Sequence, residues 1–127
     1  MTELATDKVH DPLHRVSFRF EPEGDRLWVF TWLEPDGHLP EHFHPTLDER
    51  WEVLEGAARV KLDGAWRVLT PAEDPMRVAP GVPHELRGSG DGTAHLHTEV
   101  TPPGRLQEFL TESARAACRP ACTARPG

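Results

Sequence analysis

The side chains best suited to chemistry occur in two short stretches of this chain. His42 and His44 are two residues apart, Glu49 follows them, and a third histidine, His84, comes after a Pro-Gly turn. Residues i and i+2 of a β-strand point to the same face, so His42 and His44 can converge on one point. Imidazole and carboxylate ligands suit a borderline divalent ion. We therefore predict one bound Fe, Ni, Mn, Co, Cu or Zn ion with open coordination positions.

The spacing of these residues resembles the two signature motifs of the cupin superfamily. The matching stretches are His42-x-His44-x4-Glu49-x6-Gly56 and Pro80-Gly81-x2-His84. Three positions depart from the usual pattern: Gly37 is one residue closer to the first histidine, Pro80 is adjacent to the glycine, and Gly88 replaces a terminal asparagine. That asparagine is not a ligand in the family, so the departures leave the ligand set complete. The resemblance covers about residues 15–104.

The resemblance implies a fold class and roles for the site residues. Cupins are all-β proteins whose double-stranded β-helix, or jelly-roll barrel, holds a metal inside. By this resemblance His42, His44, Glu49 and His84 are the metal ligands. The sequence leaves open whether Glu49 is a ligand, a catalytic base or both, and we assign it as a candidate for each role.

The rest of the chain has the pattern of a β-protein. Turn signals recur at short intervals before residue 105, which is typical of an all-β sandwich or barrel. Val16, Phe18 and Phe20 alternate with polar residues and predict a half-buried strand. The Asp63-Gly64 pair between apolar runs predicts a two-residue hairpin with a type I′ turn.

The chain is predicted to be one domain with loosely ordered ends. From residue 105 the apolar residues follow a helical period, and Pro120 is expected to end the helix. The predicted parts are an N-terminal arm over residues 1–14, a barrel over 15–104, a short C-terminal helix over 105–118 and a flexible tail over 119–127. Cys118 and Cys122 are expected to be free thiols, with a small disulfide or half of a metal site as alternatives.

Two further strand patterns bear on function. Residues 27–33 are apolar on both faces, so one face could line a cavity or a subunit contact, and we predict a homodimer. His95 and His97 share one face of the last strand. If that face is directed inward, one of them could supply a proton, and we assign His97 as the second catalytic candidate. The alternative is a pair that faces solvent or only supports the site.

Composition disfavours several classes of function. The chain has 127 residues, a net charge of −7 and a mean hydropathy of −0.56. An acidic chain without a helix-turn-helix pattern disfavours nucleic acid as a partner. No apolar run is long enough to span a membrane, and the N-terminus lacks the basic and apolar regions of a signal peptide. We therefore expect a cytoplasmic protein that binds a small molecule.

These features predict a metal-dependent enzyme of secondary metabolism. Its aromatic strand faces suit a flat apolar substrate, which we expect to be aromatic or polyketide-like. The stretch around His42 and His44 looks most like the small quercetinase-like dioxygenases and polyketide cyclases among the cupins. Either dioxygenation or cyclisation/isomerisation at the metal is compatible with the ligand set. The alternative is a cupin that binds or senses a small ligand without turnover.

Overall fold

Residues 8–123 form two antiparallel β-sheets followed by one helix, and this computed structural model describes side chains as far as residue 118. The elements are β1 (Val9–Asp11), β2 (Val16–Glu23), β3 (Arg26–Leu33), β4 (His38–His42), β5 (Asp48–Glu55), β6 (Ala58–Leu62), β7 (Ala65–Leu69), β8 (Met76–Val78), β9 (His84–Gly88), β10 (Ala94–Thr101) and α1 (Leu106–Thr123). The larger sheet has the strand order β1-β2-β3-β10-β5-β8, and the smaller has the order β4-β9-β6-β7. This arrangement confirms the predicted all-β jelly-roll fold with a C-terminal helix.

The core is formed by the apolar sides of strands on which apolar and polar residues alternate. On β2, Val16, Phe18 and Phe20 are buried, which confirms the predicted half-buried strand. Val60 of β6 and Leu86 of β9 belong to the same core from the smaller sheet. Burial of each such side chain contributes about 1.5–3 kcal/mol, so this shared core holds the two sheets together.

The hairpin between β6 and β7 has the turn that the sequence predicts. Leu62 and Ala65 are paired across it, and the two residues between them, Asp63 and Gly64, have φ angles of 50° and 88°. Positive φ at both central positions is the requirement of a type I′ turn, and aspartate and glycine tolerate it.

The two faces of β3 have different environments. Leu27, Val29 and Leu33 are buried in the core, whereas Trp28, Phe30 and Trp32 are half-buried on the opposite side of the sheet. We call these last three residues the outer aromatic face. The Arg19 guanidinium lies 4.2 Å from the centre of the Phe30 ring. The homodimer stays a prediction, and this face is the surface that it would use.

The later part of the predicted N-terminal arm, from residue 9 onward, is ordered against the larger sheet. β1 pairs with β2 in antiparallel register, with Val9 opposite Phe18 and Asp11 opposite Val16. Val9 also packs against the core, and Asp11 is only 3% exposed. Backbone pairing and burial therefore order this segment, while residues 1–7 lie outside the described part of the chain.

The helix is longer than predicted. Pro120 does not end α1, which continues to Thr123, so residues 119–123 are not a tail. Proline lacks the amide donor, so the helix gives up the one hydrogen bond that residue 120 would donate to the carbonyl oxygen of residue 116. Cys118 is disulfide-bonded, so the expected free thiol is wrong there. The side chain of Cys122 and residues 124–127 lie outside the described part.

Within residues 8–123, no helix combines the length and the apolar character that crossing a membrane would require.

Two departures from the family motif are explained by a single contact. The backbone N–H of Gly88 donates a 2.9 Å hydrogen bond to the carbonyl oxygen of Gly37. A Cβ atom at Gly88 would clash with the carbonyl oxygens of Glu34 and Pro35. The loop before β4 therefore packs directly on the end of β9, and only glycine fits there.

Replacing Gly88 by the family's asparagine should destabilise the fold. We expect Gly88→Asn to lower the free energy of unfolding by about 2 kcal/mol or more, because backbone atoms must move to admit the side chain. Urea denaturation followed by circular dichroism measures this. Gly24→Asn is the control, since Gly24 has a φ of 59° and no neighbour within 4 Å of an added Cβ, and asparagine tolerates that φ. Equal losses in the two variants would contradict the packing argument.

A charge on the outer aromatic face should separate the predicted dimer. Sedimentation equilibrium is expected to give twice the chain mass of 14.2 kDa for the wild type and the single chain mass for Phe30→Lys, because a lysine buried beside the Arg19 guanidinium would be repelled by it. Val68→Glu, at a position that is 55% exposed on the smaller sheet, should leave the mass unchanged. A monomeric wild type would rule out the dimer.

Candidate metal centre

Two neighbouring segments bring the three histidines of the motifs together. His42 is the last residue of β4 and is paired in register with His84, the first residue of β9. His44 lies in the loop after β4, and the intervening Phe43 is 57% exposed. The carbonyl oxygen of His44 accepts a 2.8 Å hydrogen bond from the N–H of Gly81, which has a φ of 83°. The Pro80-Gly81 turn of the second motif thus holds the loop of the first motif, which carries His44, in place.

The ligand nitrogens of these histidines are close enough to share one ion. One ring nitrogen from each of His42, His44 and His84 lies within 4.8 Å of the other two. The ring centres of His42 and His84 are 4.3 Å apart, and those of His42 and His44 are 4.9 Å apart. Nitrogens bound to one ion at about 2.1 Å lie about 3 Å apart, so small side-chain movements would complete the site.

Backbone carbonyl groups determine which ring nitrogen of His42 and of His84 is available to bind a metal ion. Nδ1 of His42 donates to the Pro40 carbonyl at 2.8 Å, and Nδ1 of His84 donates to the Val82 carbonyl at 3.0 Å. Because a carbonyl can only accept, Nε2 of both rings carries the lone pair. Nε2 of His84 is buried and has no hydrogen-bond partner within the described structure. An unpaired buried acceptor is rare and costly, and a bound cation would satisfy it.

The environment also keeps the three imidazoles neutral. Burial lowers the pKa of all three, and burial together with the nearby His42 and His84 lowers the pKa of His44 to about 4. Neutral imidazole is the form that binds metal, so the rings need lose no proton to do so near neutral pH.

Glu49 lies beside this cluster rather than within it. The carboxyl group on β5 is only 3% exposed, and its Oε2 is 3.3 Å from Nε2 of His44. Oε1 accepts a 2.7 Å hydrogen bond from the indole N–H of Trp51. Burial raises the pKa of the Glu49 carboxyl group above its ordinary value, while the Trp51 hydrogen bond opposes that rise. The position is compatible with both roles predicted for Glu49, as a ligand and as a base.

A cavity of about 300 Å³ opens next to the cluster. Its lining includes His42, His44 and Glu49 together with apolar side chains from both sheets. Leu106 and Leu110 of α1 complete the wall, so the helix encloses a space that would otherwise be more open. This volume is sufficient for a small aromatic molecule.

The predicted catalytic role of His97 is wrong in position. The buried residues of β10 alternate from Ala94 to Val100, which places His95 and His97 on the opposite side of the sheet from the cavity. Nε2 of His97 is 2.8 Å from a carboxylate oxygen of Glu52. The ring of His95 stacks on Trp32, with centres 4.5 Å apart. Both imidazole rings contact the outer aromatic face. The alternative interpretation of the sequence, in which the two histidines lie outside the site, is therefore the correct one.

Sequence reasoning missed an aspartate and a histidine of the cavity wall that lie far from the motifs in sequence. Asp11 and His14 both line the cavity, although the sequence places them in the N-terminal arm. An aspartate at the start of a turn predicts the turn itself, but it does not indicate that the turn lies at a cavity. Their position at the cavity depends on the pairing of β1 with β2, which is not visible from the local pattern.

Comparison with known proteins identifies relatives of this fold. The cupin domain family matches residues 29–100. An oxidoreductase of Arthrobotrys oligospora is 34% identical over 58 residues, which are 45% of this chain and 23% of that protein, so the chain spans less than a quarter of it. An RmlC-like cupin from Shewanella frigidimarina is similar in structure, with a TM-score of 0.69, 23% identity, and coverage of 82% of this chain and 88% of that one. The cupin domain of an XRE family transcriptional regulator from Enterobacter cloacae has a TM-score of 0.62 at 23% identity, covering 70% and 98%.

Metal content should depend on the histidine cluster alone. We expect elemental analysis of freshly purified protein to find about one transition metal ion per chain, and the double variant His42→Ala, His44→Ala to lose it, because one imidazole retains little affinity. His95→Ala is the matched control, since it removes a histidine outside the cavity and should leave the metal content unchanged. Wild-type protein without metal, or equal losses in the two variants, would contradict the site.

Proposed function

This chain belongs to the cupin domain family, and on that premise we propose that it is a metal-dependent enzyme of secondary metabolism. Its substrate is a small aromatic or polyketide-like molecule. Its reaction is a dioxygenation or a cyclisation/isomerisation at one divalent ion, which His42, His44 and His84 hold with Glu49 beside or among the ligands.

The single observation that carries this proposal is the buried Nε2 of His84. This lone pair has no partner in the described structure, and it belongs to the group of three converging imidazole nitrogens. Leaving such an acceptor unsatisfied costs about 1–3 kcal/mol. A packing role for His84 would not explain this cost, whereas a bound ion would remove it.

The cavity supports a small, mostly apolar substrate. Apolar side chains such as Phe18, Val29 and Leu86 form much of its wall, and the histidine cluster supplies the polar end. When bound, a divalent ion would stabilise an enolate or phenolate, and a redox-active ion would also exchange electrons with dioxygen. The similarity to an oxidoreductase over 58 residues favours redox chemistry.

Glu49 is the residue that we assign to proton transfer. Its raised pKa brings the carboxyl group closer to the range in which it can both take up and release a proton near neutral pH. The Trp51 indole fixes Oε1, so Oε2 is the atom that exchanges the proton with a molecule in the cavity. Burial of both side chains limits exchange of that proton with bulk water.

The alternative function is ligand binding or sensing without turnover. The same fold occurs as a domain of a transcriptional regulator from Enterobacter cloacae, and a fold does not by itself determine chemistry. The cytoplasmic location and the absence of a nucleic-acid partner stay predictions.

Turnover separates the two functions. We expect oxygen uptake or product formation with at least one compound from a panel of phenols and polyketide-like molecules, and only with metal-loaded protein. Glu49→Gln should lower kcat by about 10²–10⁴-fold, because the amide cannot take up the proton. Chromatography of the reaction mixtures and an oxygen electrode measure both results.

His97→Gln is the control for that experiment, because His97 lies outside the cavity and its loss should leave kcat unchanged. Binding of panel compounds without any turnover would favour the sensor. An equal loss of kcat in the two variants would contradict the assignment of Glu49.

A further inference from the structure

A second ionisable pair lies on the cavity wall, away from the histidine motifs in sequence. Nδ1 of His14 is 2.7 Å from Oδ2 of Asp11, and both residues line the cavity. Asp11 is 3% exposed, so its carboxylate is shielded from water. Apart from this pair, the ionisable residues of the described lining are Glu41, His42, His44 and Glu49.

The carboxylate of Asp11 is held rigidly. Its Oδ1 accepts hydrogen bonds from the backbone N–H groups of Leu13 at 3.0 Å and His14 at 2.9 Å. The carbonyl oxygen of Asp11 accepts a 2.9 Å bond from the N–H of Arg15, which closes the turn. The carbonyl oxygen of His14 in turn accepts the N–H of His38 at 2.9 Å, which ties this turn to the start of β4.

This arrangement determines which nitrogen of His14 can meet a ligand. A carboxylate oxygen accepts hydrogen bonds, so the proton of the neutral ring lies on Nδ1 and is donated to Asp11. Nε2 then carries a lone pair and can accept a hydrogen bond. The side chain of His14 is 30% exposed, so a molecule entering the cavity can reach it.

We propose that His14 is a ligand-binding residue whose Nε2 accepts a hydrogen bond from a hydroxyl group of the cavity's ligand. The ligand is a small flat molecule with two hydroxyl groups at opposite ends, one directed to His42 and His44 and the other to His14. The rest of the cavity lining is mostly apolar, which suits an aromatic body. This inference rests on the proposed function for the metal end of the site.

A purely structural role for the pair is the competing explanation, because Asp11 already stabilises the turn. Two substitutions of His14 distinguish the explanations. In His14→Asn the amide nitrogen replaces Nδ1, so the bond to Asp11 can persist while the Nε2 acceptor is lost. In His14→Gln the amide extends to the position of Nε2 and can accept a hydrogen bond in its place. A structural role predicts that Asn preserves function better, and ligand binding predicts the opposite.

The test uses the zinc-loaded 127-residue chain and two probes, 2,6-dihydroxynaphthalene and 2-naphthol, which differ by the distal hydroxyl group. Isothermal titration calorimetry measures their affinities, and elemental analysis confirms the zinc content. We expect the wild type to bind the diol about tenfold more tightly than the mono-ol, a difference that one hydrogen bond can supply. His14→Asn should lose this preference, and His14→Gln should retain part of it.

His10→Asn is the matched control, because His10 lies on β1, just before the turn that carries His14, but is exposed and bonded to Ser17. It should bind both probes as the wild type does. Equal affinity of the wild type for the two probes, or an unchanged preference in His14→Asn, would overturn this inference while leaving the metal site intact. Failure of the wild type to take up zinc or to bind either probe would overturn the proposed function, and this inference with it.

Discussion

The convergence of three neutral imidazoles on one buried point is the constraint on which the rest of the structure depends. His42, His44 and His84 come from the end of one strand, the following loop and the start of another strand. Without a bound ion this arrangement is unfavourable, because it buries Nε2 of His84, an acceptor that has no hydrogen-bond partner in the described structure. The surrounding structure maintains it with backbone hydrogen bonds to two of the rings and with burial that keeps all three uncharged.

The scaffold around this point is held by backbone contacts more than by charged pairs. The N–H of Gly81 fixes the loop that carries His44, and the N–H of Gly88 fixes the loop that precedes β4. Both glycines are needed for backbone reasons: a positive φ at Gly81 and a close approach of carbonyl groups at Gly88. The departures from the family pattern at Gly37 and Gly88 are therefore one local packing solution and leave the histidine cluster unchanged.

Local spacing made the fold and the histidine cluster predictable. Alternation identified β2, the Asp63-Gly64 pair identified a hairpin, and the motif spacing identified three imidazoles that the structure brings together. The incorrect prediction for His97 concerned which side of its strand faces the core. On the strand that carries His97, the apolar residues Leu96 and Val100 face the core, so the alternation itself places His97 on the other side, against the outer aromatic face.

Long-range contacts account for the other differences. Asp11 and His14 reach the cavity because β1 adds to the edge of the larger sheet, and α1 closes the wall from the far end of the chain. The pairing of β1 leaves no period or spacing in the sequence, whereas the apolar period of α1 predicts a buried helix face without indicating what it covers. A propensity rule placed the end of the helix at Pro120, and the structure shows that one lost amide donor is tolerated in the last turn.

Binding of one metal ion by the three histidines is tested most directly by X-ray absorption at the metal edge of the purified protein. We expect about three imidazole nitrogens at roughly 2.0–2.1 Å, with any further ligands being oxygen, and the loss of one imidazole contribution in His84→Ala. An ion coordinated without imidazole, or a spectrum that His84→Ala leaves unchanged, would contradict it.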